Sequence, residues 1–390
     1  MSHYKKLDHK LLTLPTALLS LAAITSLTII GYRFLNGLGS VTNLNDVYPW
    51  GIWVAFDIVV GTAFACGGYA LALVVYILNK GKYHPLIRPA LLTSLLGYAM
   101  GAVSAFIDMG RFYNFYYLFN PNQINLNSVM LEIALCVMAY ILVMFIEFMP
   151  AMLEKFKKFA LKEKLEKVLF VFIAIGALLP TMHQSSLGSL LIAAGQKVYP
   201  LWQSLYFQPI LALSSAIIMG MSIVIWEGSM VTVVYKRQPE THLLKGVGQF
   251  ALYLLLFFLV IRLFDITNRG VWGLAFQGDY RGNMFLLEMV LFLIPTYILI
   301  SPSLRKRGPQ LMVAGTSLLL AGALYRLNAF LIGWVPNPAD TYSYFPSVPE
   351  LMVTIGLVAL ELLVYVVVIK MFPIWPKEHG EAAQILHESG

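Results

Sequence analysis

The sequence predicts an all-α integral membrane protein of about ten transmembrane helices, and three observations predict that helical membrane class. Of 390 residues 59% are hydrophobic and only 12% are charged, about half the charged share of a water-soluble domain. The apolar residues gather into runs of the length that one helix needs to cross a hydrocarbon core of roughly 30 Å. Those runs lack the period-two alternation of lipid-facing strands, and each is long enough to satisfy its own backbone hydrogen bonds as a helix. No stretch remains for an extramembrane domain, so residues 1–390 are read as one polytopic membrane domain.

Ten spans follow in order, near 13–35, 51–78, 89–110, 128–153, 168–192, 207–235, 247–268, 283–304, 310–332 and 349–372. The first comes after Lys5, Lys6 and Lys10 but is too long for a signal-peptide core, and no A-x-A-like site follows, so it reads as an uncleaved first helix. The second carries Gly61, Gly67 and Gly68, and the third the packing spacing Gly97-x-x-x-Gly101. The fifth holds Pro180, which frees a carbonyl of the preceding turn that small hydroxyl residues can re-satisfy, and Gly188, which permits close approach of another helix.

Charge sets the expected orientation. Lys5, Lys6, Lys10, Lys80, Lys82, Arg88, Lys155, Lys157, Lys158, Lys162, Lys164, Lys167, Lys236, Arg237, Lys245, Arg305, Lys306, Arg307, Lys370 and Lys377 fall on one side, 20 of the 27 basic residues. The positive-inside rule puts that side, with both termini, in the cytoplasm. The other side is aromatic, with Tyr48, Trp50, Trp53, Tyr113, Tyr116, Tyr117, Trp202, Tyr206, Trp272, Trp334, Tyr342 and Tyr344. An interfacial belt accounts for such a set, and so does a docking surface for an outer partner.

Composition also excludes chemistry. A net charge of +7 with the basic residues in short loops fits lipid headgroups and topology, and no nucleic-acid partner is expected. Cys66 and Cys136 cannot supply the four ligands of an iron–sulfur cluster, and His183 is the one histidine deep in an apolar run, where a membrane haem needs axial ligands. No haem, iron–sulfur cluster or other metal is therefore expected in this chain.

A charge at the centre of a lipid-embedded helix costs about 2.5–3.5 kcal/mol on insertion scales, so each one asks for a partner, a wet pocket or a role. Asp108 with Arg111, and Arg262 with Asp265, are expected as structural pairs one turn apart. Glu132, Asp57 and His183 have no cation one turn away. With Glu227 or Arg88, and Tyr98, they order by depth into a ladder of proton-exchanging groups that starts at the basic face and ends at Asp57 and Glu132 under the aromatic one. The Asp108-to-Glu132 and Asp265-to-Glu288 separations are 24 and 23 residues. They hint at parallel repeats over 51–192 and 207–332, with 13–35 and 349–372 as flanking helices.

The stretches Tyr48-Pro-Trp-Gly-Ile-Trp-Val-Ala-Phe-Asp57, Gly61-Thr-Ala-Phe-Ala-Cys-Gly-Gly68, Tyr83-His-Pro-Leu-Ile-Arg88-Pro-Ala-Leu-Leu, Leu178-Leu-Pro-Thr-Met-His183-Gln-Ser-Ser and Tyr199-Pro-Leu-Trp-Gln-Ser resemble the membrane subunits of hydrogenase-2-type uptake hydrogenases, in the NrfD and polysulfide-reductase membrane-subunit family. The similarity runs over nearly the whole chain and is weakest in the tails and around 236–246. It implies a bacterial inner-membrane subunit without haem, not an enzyme on its own, that joins a periplasmic ferredoxin-like iron–sulfur subunit and the small and large subunits of a nickel–iron hydrogenase. Menaquinone would be its exchangeable substrate. Glu132, His183 and Asp57 would belong to the quinone pocket and its proton supply, and Glu227, Arg88 and Tyr98 to a path from the cytoplasm. Without the resemblance, a proton-coupled secondary transporter or channel fits the intramembrane acids as well.

Overall fold

A computed structural model describes residues 4–7, 10–238, 240–336 and 343–377. His3, His9, Tyr342, His379 and His387, named among the histidines and aromatics of the sequence, lie outside the described residues. Ten helices are long and apolar enough to cross a membrane: α1 Leu14–Asn36, α2 Trp53–Ile77, α3 Gly81–Asp108, α4 Val129–Lys155, α5 Leu169–Lys197, α6 Gln208–Tyr235, α7 Thr241–Asn268, α8 Tyr280–Ile300, α9 Gly308–Ile332 and α10 Val348–Met371. Each coincides with an expected span. α3 and α7 begin several residues earlier, because a single turn around Tyr83-His-Pro and a polar turn from Thr241 lead into them.

Helix starts follow local chemistry. Thr13 and Ser347 form reciprocal caps with Thr16 and Glu350, and Ser128 and Asp279 accept from the first-turn amides of α4 and α8. Before α10, the Tyr344 phenol donates to Glu350 Oε1 at 2.6 Å and accepts from the Ile52 amide at 2.8 Å, tying this loop to the mouth of α2. Burial, and then the Glu350 carboxylate it faces, push that phenol above its usual range.

Helices α2 to α5 pack in sequence order, as do α6 to α9, and the two groups meet where α2 lies on α6 and α9, and α5 on α6. α1 packs on α10, and α10 on α3 and α2, so this pair stands outside the eight. α2 and α6 are the most enclosed, whereas α1 turns Leu14, Leu18, Leu21 and Ile24 outward, as a lipid-facing helix does. A two-residue antiparallel ladder, Tyr4–Lys5 with Trp375–Pro376, ties the two ends of the chain at the lysine-rich face.

Regularity fails in α2, as the apolar run did not foretell. Wide π-type turns at Trp53–Val60 and Leu73–Ile77 flank short pieces Gly61–Phe64 and Gly67–Ala72, which meet at Ala65 and Cys66. Such turns rotate the side chains off a single stripe, and α6 closes on the break, because a Cβ at Gly220 would stand 2.4 Å from Cys66 O. Gly220→Val is therefore expected to lower stability by about 1–3 kcal/mol, read as a lower unfolding midpoint in detergent, while Gly31→Ala, with nothing within 4 Å, leaves it unchanged. α5 runs unbroken through Pro180, with Thr181 Oγ1 donating to Ala177 O at 2.8 Å. Gly188 does admit a neighbour: its Cβ would stand 2.4 Å from Gln208 O at the start of α6.

Two expected ion pairs do not form among the described residues. Arg262 turns into the bundle and pairs with Glu288 at 3.1 Å, leaving Asp265 to Arg269 at 2.6 Å, the favourable four-residue helical spacing. The helical part of α3 ends at Asp108 and the chain turns extended at Met109. Arg111 is then not one helical turn on, and Asp108 makes no ion pair with it among the described residues. The aromatic face also divides: Trp50, Trp53, Trp202 and Trp334 are buried anchors, whereas Tyr113, Tyr116 and Tyr206 are exposed.

Candidate functional site

The expected ladder separates into two arrays on opposite sides of α2. On the first side, α5 buries His183 completely, and Tyr98 of α3 shares a 2.6 Å hydrogen bond with its Nε2. Tyr98 is held by an edge-to-face contact with Tyr140 of α4, with ring centroids 4.7 Å apart, and its hydroxyl stands 3.5 Å from Cys66 Sγ. Gln184 places its Nε2 3.3 Å from the same imidazole nitrogen and 3.2 Å from Thr62 Oγ1, and its Oε1 accepts from Arg326 of α9 at 2.9 Å. Arg326 also donates to Val59 O at 2.9 Å and Ala212 O at 2.7 Å. It is a buried guanidinium held by carbonyls, an amide and a hydroxyl, with no carboxylate bound to it among the described residues.

One turn beyond His183 on α5, Ser186 Oγ donates to Glu132 Oε1 at 2.9 Å. Glu132 sits in the first turn of α4, half-buried. Glu132 and His183 thus address the same stretch of α5 without bonding each other. Among the described residues His183 Nδ1 has no hydrogen-bond partner, so this buried imidazole has one nitrogen committed and one left to donate or accept.

On the second side, a cavity of about 300 Å³ lies between α2, α3, α6, α9 and α10, lined by Asp57, Glu227 and Glu361 among apolar side chains that include Phe64 and Trp226. Asp57 Oδ2 accepts from Ser104 at 2.8 Å and from Thr354 at 3.3 Å, and Glu227 accepts a short hydrogen bond from Tyr365. α2 itself divides the arrays: Thr62 and Cys66 serve the histidine side, while Asp57, Gly61 and Ala65 face the cavity. Among the described residues no three His, Cys, Asp or Glu side chains converge as metal ligands.

Of the six residues singled out in the sequence, the structure therefore joins Tyr98 to His183, puts Glu132 one turn away, and groups Asp57 with Glu227 in the separate cavity. Arg88 belongs to neither. It pairs with Glu154 at 2.9 Å, donates to Pro373 O at 3.1 Å and lies 3.9 Å over the Tyr4 ring, fastening the lysine-rich face. Arg326, Gln184, Glu361 and Tyr365 were not selected from the sequence as site residues. The spacing of Glu361 and Tyr365, four residues apart on one helix face, is the signal that was available.

The family described as Polysulphide reductase, NrfD, matches residues 40–333, and the chain belongs to it. It is a multi-pass membrane protein, and the matched region holds α2 to α9, leaving α1 and α10 outside. The chain is 44% identical over 379 residues, 96% of each chain, to the probable Ni/Fe-hydrogenase 2 b-type cytochrome subunit of Escherichia coli (strain K12). It is 31% identical over 376 residues to a protein of Nitratidesulfovibrio vulgaris, covering 94% of this chain and 96% of that one. A shorter match, 32% over 166 residues, covers 41% of this chain and 39% of the menaquinone reductase integral membrane subunit of the same organism.

Proposed function

We propose that this chain is the quinone-reactive subunit of a periplasmic nickel–iron hydrogenase complex in the bacterial inner membrane, passing electrons from an iron–sulfur partner to menaquinone while protons enter through the bundle. The observation that carries the reading is the Tyr98–His183 hydrogen bond lying one helical turn from the Ser186–Glu132 bond, in a chain whose relatives include a hydrogenase 2 subunit and a menaquinone reductase subunit. Molecular hydrogen gives two electrons and two protons at the partner. The quinone takes two electrons and two protons at this chain, and a ring gaining charge in a low-dielectric pocket needs a proton close behind each electron. Glu132, half-buried and held by one hydroxyl, is the proton donor, and His183 polarises a quinone oxygen, with Tyr98 able to resupply its proton. Both termini lie in the cytoplasm, so the lysine-rich face supplies those protons. We further propose that α2–α5 and α6–α9 are parallel repeats.

The E. coli relative is named a b-type cytochrome subunit. The residues present here do not fit a haem held by two histidines in the bundle. Among the described residues His183 is the one fully buried histidine, and its Nε2 is already committed to Tyr98 at 2.6 Å. No step here runs through a haem.

Affinity purification of the chain in mild detergent tests the reading. Nickel and iron–sulfur proteins are expected to co-isolate, and the isolated assembly to reduce a menaquinone analogue with hydrogen gas. An assembly that keeps this chain yet reduces only water-soluble dyes would reject it. Tyr98→Phe removes one hydroxyl proton while keeping the ring packed on Tyr140. It is expected to slow quinone reduction about 10- to 100-fold, measured as a fall in kcat with KM for the quinone little changed.

A further inference from the structure

We infer that Glu361 of α10 is the middle carrier of a proton route through the second cavity, passing protons between Glu227 and Asp57. The inference rests on the proton-uptake reading above and names a residue and a helix that it does not use. Three carboxylates line this one cavity, and their helices place them at three depths. Glu227 lies about two turns from the lysine-rich end of α6, Asp57 lies about one turn from the opposite end of α2, and Glu361 stands near the middle of α10. The two end acids are both held by hydroxyls of α10, Asp57 by Thr354 and Glu227 by Tyr365. Glu361 lies between those two hydroxyls in sequence and on the same face. At a rise of about 1.5 Å per residue it stands about 6 Å along the axis from Tyr365 and about 10 Å from Thr354, gaps that one or two waters span.

Glu361 differs from its neighbours in having no hydrogen bond from any described residue. Its carboxyl lies against the bare backbone of α3, where a Cβ at Gly97 would stand 3.3 Å from its Oε1, and it borders the open space of the cavity. An acid with no partner among apolar walls destabilises the fold and has no packing reason to be there. α10 lies outside the region that matches the family. The eight-helix core supplies the two end acids, and α10 supplies the carrier that closes the gap between them.

The test uses the whole complex in proteoliposomes, with Glu361→Gln and Glu361→Asp beside the wild type. The readouts are the rate of hydrogen-driven reduction of a menaquinone analogue, its pH profile, KM for the quinone and the unfolding midpoint. Glu361→Gln is expected to lower the rate at least tenfold with KM and midpoint unchanged. Glu361→Asp should restore at least a third of the rate with a displaced pH profile. A Gln variant within twofold of wild type overturns the inference while leaving quinone reduction by the complex intact. A rate loss matched by a fallen midpoint and not rescued by Asp identifies a packing residue and overturns it too. If the wild-type complex reduces no quinone, the function proposed above fails and this inference with it.

Discussion

Glu132→Gln is expected to reduce hydrogen-driven menaquinone reduction by at least about 100-fold, the span that a positioned general acid contributes. The substitution keeps the size of the side chain and an oxygen for Ser186, whose hydroxyl donates at 2.9 Å, so the contact between α4 and α5 is kept. What is lost is a group that gives up a proton and takes another. The expected pattern is a fall in kcat with the quinone still bound and with electrons still arriving at the iron–sulfur partner, which then stays reduced during turnover. Stopped-flow measurement of quinone absorbance against partner absorbance separates the two. A Gln variant that reduces quinone at the wild-type rate removes Glu132 from the chemistry.

The largest expected effect on stability falls on a carboxylate outside both arrays. Glu288 of α8 is fully buried and accepts from Arg262 at 3.1 Å, from Trp202 at 2.8 Å and from Asn328 at 2.9 Å. It therefore fastens α7, α9 and the loop before α6 to one point. Removing one partner of such a pair strands the other charge in a dry interior, which costs about 3–5 kcal/mol. Glu288→Ala is expected to lower the unfolding midpoint in detergent sharply, and in cells to lower the amount of chain in the membrane. Lys162→Ala, by contrast, breaks only partly exposed contacts with Glu154 at 3.4 Å and Glu166 at 3.6 Å and should move stability by less than about 1 kcal/mol. Equal midpoints for the two variants would show that Arg262 finds water or another partner.

The number and order of the helices were legible because each crossing is a long apolar run, and hydrocarbon leaves a chain little choice but helix. Pairing was less legible. Arg262 sits three residues from Asp265, and spacing alone joins them, yet the tertiary partner Glu288 prevails because it lies in the dry interior where the guanidinium also stacks on Tyr325 at 4.8 Å. At the candidate site, Tyr98 and His183, placed on one ladder from the sequence, do meet, and Glu132 comes within one turn of them through Ser186. The sequence placed Asp57 with them because depth along a helix says nothing about which side of the helix a residue faces. The wide turns in α2 decide that, sending Asp57 to the cavity and Cys66 to Tyr98. Arg326 was not selected as a site residue because a buried arginine held by carbonyls has no sequence partner to announce it.

Membrane voltage during turnover tests most directly the claim that electrons and protons reach the quinone from opposite faces. The complex is sealed into vesicles with its hydrogenase outward, a menaquinone analogue is added to the bilayer, and hydrogen gas is supplied while a voltage dye and a trapped pH dye are read. The expected result is a lumen that turns negative and alkaline at a rate proportional to quinone reduction, and that stays silent with Glu132→Gln. Quinone reduced at full speed with no voltage and no change in lumen pH would contradict it.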